Sequence, residues 1–99
     1  MSRRLNWSPR ALRDLDDIFD YIAEHNPRAA LDVIDRIRER ARFLTEHPNA
    51  GRMGRLAGTR ELILGDLPYV LPYRVAETAV EIIRVLHGAR RWPFDDTSG

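Results

Sequence analysis

Residues 68–93 read PYVLPYRVAETAVEIIRVLHGARRWP, and this stretch decides the fold. It holds two runs rich in β-branched and aromatic residues, 69–75 and 79–86, separated by the polar turn Ala76-Glu77-Thr78. Upstream, 59–64 reads as a further strand, joined to the first by Gly65-Asp66-Leu67-Pro68. Three strands joined by such short turns predict an antiparallel meander. Pro72 lies inside the middle run and has no N–H to donate, which predicts a bulge or a locally unpaired stretch there. On the last run strict alternation assigns Glu81, Ile83, Val85 and His87 to one face and Val80, Ile82, Arg84 and Leu86 to the other. Both faces are then partly apolar, as in a central strand.

The chain ahead of this sheet is built to cover one of its faces. Residues 5–7 form a short strand candidate. Ser8-Pro9 supplies an N-cap followed by proline at the first helical position, where a missing N–H costs nothing. Leu12, Leu15, Ile18, Phe19 and Ile22 recur at three- and four-residue intervals, while Asp14, Asp16, Asp17 and Asp20 fall mostly outside that stripe. Asn26-Pro27 repeats the start signal, so a second helix begins almost at once and runs over 27–46, with Ala30, Val33, Ile34, Ile37, Ala41 and Leu44 on its apolar side. His47-Pro48 ends it, because the residue before proline is pushed out of helical geometry. The expected class is α+β: an N-terminal strand, a helical hairpin and a three-stranded meander, in one domain over 1–94 with a disordered tail at 95–99.

Composition narrows the function classes. In 99 residues, 43% hydrophobic and without cysteine, the core is built without disulfides, which fits a reducing, cytoplasmic setting. No apolar run approaches the roughly 18 residues of a membrane span and no charged-then-apolar leader opens the chain, so no membrane partner is expected. A net charge of +1 argues against a strongly basic nucleic-acid binder. All 16 basic residues are arginine, whose planar fork suits carboxylate and phosphate, although genomic base composition accounts for the bias as well.

The residues that could carry chemistry cluster late. His87 ends the last run beside Gly88, near Arg90 and Arg91; it is either a general base or a histidine that fixes the turn by hydrogen bonding. Without a nucleophile or carboxylate partner the second role ranks first. Trp92 is either a plug folding back on the sheet or an exposed anchor. Arg60 or Arg74, with Arg84 as a further candidate, is expected on the sheet face that the helices leave open. The loop at 49–58, NAGRMGRLAG, is an ordinary connection or an anion cradle; it lacks the GK[ST] ending of a phosphate loop. His25, His47 and His87 do not have metal-ligand spacing, so neither metal nor cofactor is expected.

In this order of elements the chain resembles the RelE/ParE family of bacterial type II toxin–antitoxin toxins. The resemblance rests on W-S-P-x-A-L-x-D-L from Trp7, Y-I-A-E-x-N-P-x-A-A from Tyr21, G-R-x-G-R and G-T-R-E-L between Gly51 and Leu62, P-Y-x-L-x-Y-R-V from Pro68, and I-I-R-V-L-H-G-A-R-x-W-P from Ile82. Together these span nearly the whole chain, from Leu5 to Pro93. The resemblance implies a growth-inhibiting toxin of the plasmid-stabilisation type, neutralised by a cognate antitoxin and meeting operator DNA only through the antitoxin complex. The family contains two chemistries: ribosome-dependent messenger-RNA cleavage in the RelE branch and inhibition of DNA gyrase in the ParE branch.

The ribonuclease branch carries basic side chains on the second and third strands, and the positions aligned with them here are Glu61, Ile63 and Val70. A carboxylate and two aliphatics cannot stabilise a scissile phosphate or move its protons. The branch's C-terminal tyrosine is also absent. The resemblance therefore points to the ParE branch, a protein that acts by binding, with Arg60, Arg74, Arg84, His87, Arg90, Arg91 and Trp92 as its target- and antitoxin-binding residues. The alternatives are a ribonuclease with a relocated active site that uses His87 and Arg90, and a non-toxic co-repressor subunit. The antitoxin is expected on the arginine-bearing sheet face and the exposed sides of the hairpin, because paired arginine surfaces suit an acidic peptide.

Overall fold

The computed structural model describes residues 2–88. Within them the chain forms β1 (Arg4–Trp7), α1 (Pro9–Ala23), α2 (Pro27–Phe43), β2 (Arg52–Met53), β3 (Arg60–Ile63), β4 (Tyr69–Val75), β5 (Ala79–Ile82) and β6 (Leu86–His87). Both helix starts follow from their caps. The Ser8 hydroxyl accepts the Ala11 N–H at 3.0 Å, and the Asn26 amide oxygen accepts that of Ala29 at 3.1 Å. The Ser8 hydroxyl also donates to the Ile83 carbonyl at 2.7 Å, which ties α1 to the sheet. On α1 the buried stripe is Ala11 and Leu15 with Ile18 beside them, whereas Leu12 is 46% exposed. The expected stripe thus holds at Leu15 and Ile18, while Ala11 takes the buried place expected for Leu12. α2 stops at Phe43, three residues before the expected end, and its last turn gives way to the turn that carries buried Leu44.

The sheet is mixed. Its strand order is β1-β5-β4-β3-β2, with β1 parallel to β5 and the other pairs antiparallel, and β6 also pairs with β4. The expected meander is present as β3, β4 and β5, with β5 central between β1 and β4. Tyr69, Leu71, Tyr73 and Val75 share one face with Leu62, Val80 and Ile82, and this face packs on Ala11, Leu15, Ile37, Ala41 and Leu44 to form the core. Each large aliphatic buried there contributes about 1.5–3 kcal/mol. The other face carries Glu61, Ile63, Val70, Pro72, Arg74 and Glu81.

The last run is two strands, not one. Ile82 pairs with Tyr73 and Leu86 with Val70, so Leu71 and Pro72 on β4 are opposed by three residues, Ile83, Arg84 and Val85. This is the bulge expected at Pro72, with the extra residue on the partner strand. Pro72 offers only its carbonyl, which accepts the Ile83 N–H at 2.8 Å. The extra residue resets the alternation. Val85 joins the core face and Leu86 turns to the other, so the faces expected from strict alternation for Val85, Leu86 and His87 are reversed.

One polar tie holds the hairpin to the sheet from outside. Arg36 and Arg40 on α2 both reach Asp66 in the β3–β4 turn, and Arg40 also donates to the Leu64 carbonyl at 3.0 Å. Burial pushes the Asp66 carboxyl up, but the Arg36 hydrogen bond, its backbone N–H and the charges of Arg40 and Arg36 outweigh this and hold it below the usual carboxylate value. No helix among the described residues is long and apolar enough to cross a membrane.

Candidate functional site

The arginines weighed for the open face are distributed over three environments. Arg74 points away from the helices, exposed, with Nη1 3.9 Å from the Glu81 carboxylate across the β4–β5 ladder. Arg60 pairs with Tyr73, so it lies on the helix-side face, where Nη1 donates to the Gly51 carbonyl at 2.8 Å. Arg84 is 7% exposed: Nε and Nη2 grip both oxygens of Asp14 on α1 at 2.8 and 3.0 Å. Of the two arginines weighed for the open face, Arg74 occupies it and Arg60 does not, and the further candidate Arg84 is corrected. β4 places residues 60 and 74 on opposite sides, and Arg84 lies on the helix side, where it meets the Asp14 carboxylate.

His87 sits at the end of β6, exposed, with its ring edge-on to Tyr69 at 6.0 Å. It borders two recesses. One is a groove of about 220 Å³ on the helix side, between α1 and the end of β4, lined by Asp14, Asp17, Ile18, Tyr21 and Tyr69. Burial, and secondarily the neighbouring Tyr21, pushes the Tyr69 hydroxyl up. The other is a small cleft on the opposite face, where Arg52, Arg55 and Glu61 meet Val70 and Leu86. Arg90, Arg91 and Trp92, and the plug or anchor role weighed for Trp92, lie outside the described residues, as does the tail at 95–99.

In that cleft one buried carboxylate faces two arginines. Glu61 is 2% exposed. Its carboxylate accepts from Arg52 Nη2 at 3.0 Å and from the Arg55 backbone N–H at 3.1 Å, with Arg55 Nε 4.0 Å away. Ile63 and Val70 lie on the same face in mutual register. Glu61 is thus engaged by both loop arginines, and Ile63 and Val70 beside it bring no ionisable group. The loop at 49–58 is more built than a plain connection. It contributes β2, and the Tyr73 hydroxyl pins it by donating to the Pro48 carbonyl at 2.7 Å and accepting the Gly51 N–H at 2.9 Å. No group of three His, Asp or Glu side chains able to hold a metal gathers among the described residues.

Sequence reasoning passed over Asp14. Asp14 was legible in principle, since it lies three residues from Ala11 and four from Ile18, beside the buried stripe and unlike Asp16 or Asp20. A carboxylate there needs a cation brought by another element. Arg52 and Arg55 were legible as the two arginines of a loop able to cradle an anion, but not their partner, the Glu61 carboxylate of this same chain, which depends on how the loop returns along β3.

Against known proteins, residues 5–92 match the family described as the ParE toxin of type II toxin–antitoxin system, parDE. The chain is similar to toxin Y4kP of Sinorhizobium fredii, at 48% identity over 94 residues that cover 94% of this chain and 97% of that one. It is also similar to toxin RelE2 of Caulobacter vibrioides, at 43% identity, covering 85% and 93%. Among solved structures it superposes on the chromosomal ParDE toxin–antitoxin system from P. aeruginosa with a TM-score of 0.78 and 31% identity, over 87% of this chain and 96% of that one.

Proposed function

The chain belongs to the ParE toxin family of type II toxin–antitoxin systems, and from that premise we propose that it arrests growth by binding DNA gyrase, without catalysis of its own, and is neutralised by a cognate antitoxin. The observation that carries this reading is the triplet Glu61, Ile63 and Val70. They share one sheet face, and the only ionisable member is a buried carboxylate already paired with Arg52. Phosphoryl transfer needs cationic groups at the reacting phosphate, and at these three positions the chain carries a carboxylate and two hydrocarbons. The family's gyrase-directed branch and the superposition on a ParDE system support the target and an antitoxin partner. Arg74, His87, Arg90, Arg91 and Trp92 are the proposed contact residues; Arg60 and Arg84 act through the loop and the bulge that they hold. Purified gyrase supercoiling DNA in the presence of this protein tests the reading. Dose-dependent inhibition with trapped cleaved DNA is expected, and full supercoiling at saturating folded protein would reject it.

A second reading rests on the similarity to RelE2 and on the exposed His87: cleavage of messenger RNA on the ribosome, with His87 moving the proton and Arg90 stabilising the charge on the scissile phosphate. RNA cleavage in a translating extract, lost in His87→Ala with the fold retained, would favour it. A protein without toxicity on induced expression, yet still binding its antitoxin, would instead be a co-repressor subunit that meets operator DNA through that complex.

A further inference from the structure

The bulge at 83–85 poses a problem that one side chain of α1 solves. Opposite Leu71 and Pro72 the Ile83 N–H donates to the Pro72 carbonyl, whereas the Val85 N–H turns away from the ladder to a side chain. It donates to Asp14 Oδ2 at 2.8 Å, and the same carboxylate takes the two Arg84 bonds. Three charge-assisted hydrogen bonds thus converge on one carboxylate that is about one-tenth exposed.

The alternative register shows what this clamp decides. With the bulge removed, Arg84 and Leu86 would continue the face of Val80 and Ile82, and His87 would turn to the opposite face. With the bulge, Val85 and His87 occupy the helix side, and His87 stands over Tyr69 in the groove shared with Asp17 and Tyr21. We propose that Asp14 is a positioning residue: by holding Arg84 and the Val85 N–H it keeps the extra residue in place and so assigns His87 to the helix-side groove. Its consequence for toxicity rests on the gyrase-binding reading above; its consequence for geometry does not.

The Asp14→Asn variant separates the two. Its amide oxygen can still accept one bond, but it holds no charge against Arg84. We expect a cooperatively folded protein whose Val85 amide exchanges about tenfold faster, whose His87–Tyr69 ring contact weakens in NMR cross-peaks, and whose potency against gyrase falls about tenfold, the loss equivalent to one charge-assisted hydrogen bond. Affinity for the antitoxin should stay within about twofold. Unchanged Val85 exchange and an intact ring contact in Asp14→Asn would overturn the proposal, and so would potency and antitoxin affinity falling in parallel. Arg84→Gln supplies the complementary measurement: Asp14 still accepts the Val85 N–H, so the ring contact should persist, and its loss there would assign the positioning to Arg84 instead. If the unaltered protein leaves gyrase untouched, the target is wrong, while the exchange and NMR measurements still decide the role of Asp14.

Discussion

Glu61 and Arg52 face each other directly across the β2–β3 ladder, with Nη2 of the arginine 3.0 Å from Oε1, the carboxylate buried and the guanidinium half exposed. The asymmetry has consequences for mutation. Removing Arg52 leaves a buried charge with weaker support, whereas removing Glu61 returns the arginine to water and leaves the Arg55 N–H to find another acceptor. Arg52→Ala should cost about 2 kcal/mol, moderated because Arg55 remains in reach. The double variant Arg52→Ala with Glu61→Leu should recover most of that loss, because a hydrocarbon at position 61 needs no partner. Urea unfolding of the single and double variants checks this; a double variant less stable than Arg52→Ala would contradict it.

Tyr73 is the pin of the loop before β2. Tyr73→Phe removes one donor and one acceptor from a buried site, leaving the Gly51 N–H and the Pro48 carbonyl unmet at a cost of about 1–3 kcal/mol. Hydrogen exchange at the Gly51 amide should rise accordingly, while amides of α2 change only through global stability. Gly51→Ala should act on the same contact from the other side, because an added Cβ would lie 2.7 Å from the Tyr73 ring and hydroxyl and 2.8 Å from the Glu61 carbonyl. Its overpacking cost is about 1–3 kcal/mol.

Titration should show one signature at each end of the pH range. Asp66 is held below its ordinary value of 3.8 in the folded chain, so the unfolded chain binds its proton first as pH falls. Its contribution is present above that ordinary value and is lost as pH drops through the folded one; Asp66→Asn should flatten the acid limb of the stability curve. Burial raises the Tyr73 hydroxyl above its ordinary value of 10.0, against the opposing Gly51 hydrogen bond and Arg60 charge. Stability from this group is complete below pH 10.0 and is lost as pH rises through the folded value. Thermal melts of wild type, Asp66→Asn and Tyr73→Phe across both limbs test the two signs.

Charge reversal should discriminate the two arginines that sequence reasoning treated alike. Arg74→Glu changes only an exposed side chain beside Glu81, and should weaken antitoxin binding about tenfold or more with little change in melting temperature. Arg60→Glu breaks the bond to the Gly51 carbonyl and places a carboxylate beside it, so its first effect should be on stability. Calorimetric titration with the antitoxin, beside a melt of each variant, separates the outcomes. Unchanged affinity in Arg74→Glu would move the antitoxin to the helical hairpin.

Much of the fold was readable because its signals are local. Ser8-Pro9 and Asn26-Pro27 specify helix starts through the chemistry of one or two residues, and Pro72 announced an interruption because it lacks an N–H. The motifs from Trp7, Tyr21 and Pro68 lie on the elements predicted for them, whereas the one at 51–55 holds the unexpected β2 and the last is interrupted by the bulge. The candidate site was less legible: Arg60, Arg74 and Arg84 look equivalent on a strand diagram, yet they point to a loop carbonyl, to the open face and into a buried ion pair.

By itself, then, the amino-acid sequence determined the elements, their order, the family and the absence of basic residues at the ribonuclease positions, all of which depend on residue identity and near-neighbour spacing. Only the tertiary structure decided the phase of the last strand, because a single inserted residue inverts every face beyond it. It also decided the partners of Asp14 and Glu61, because each takes its charge from an arginine on another element, and the distance between two charges that decides such a pairing exists only once the chain has folded.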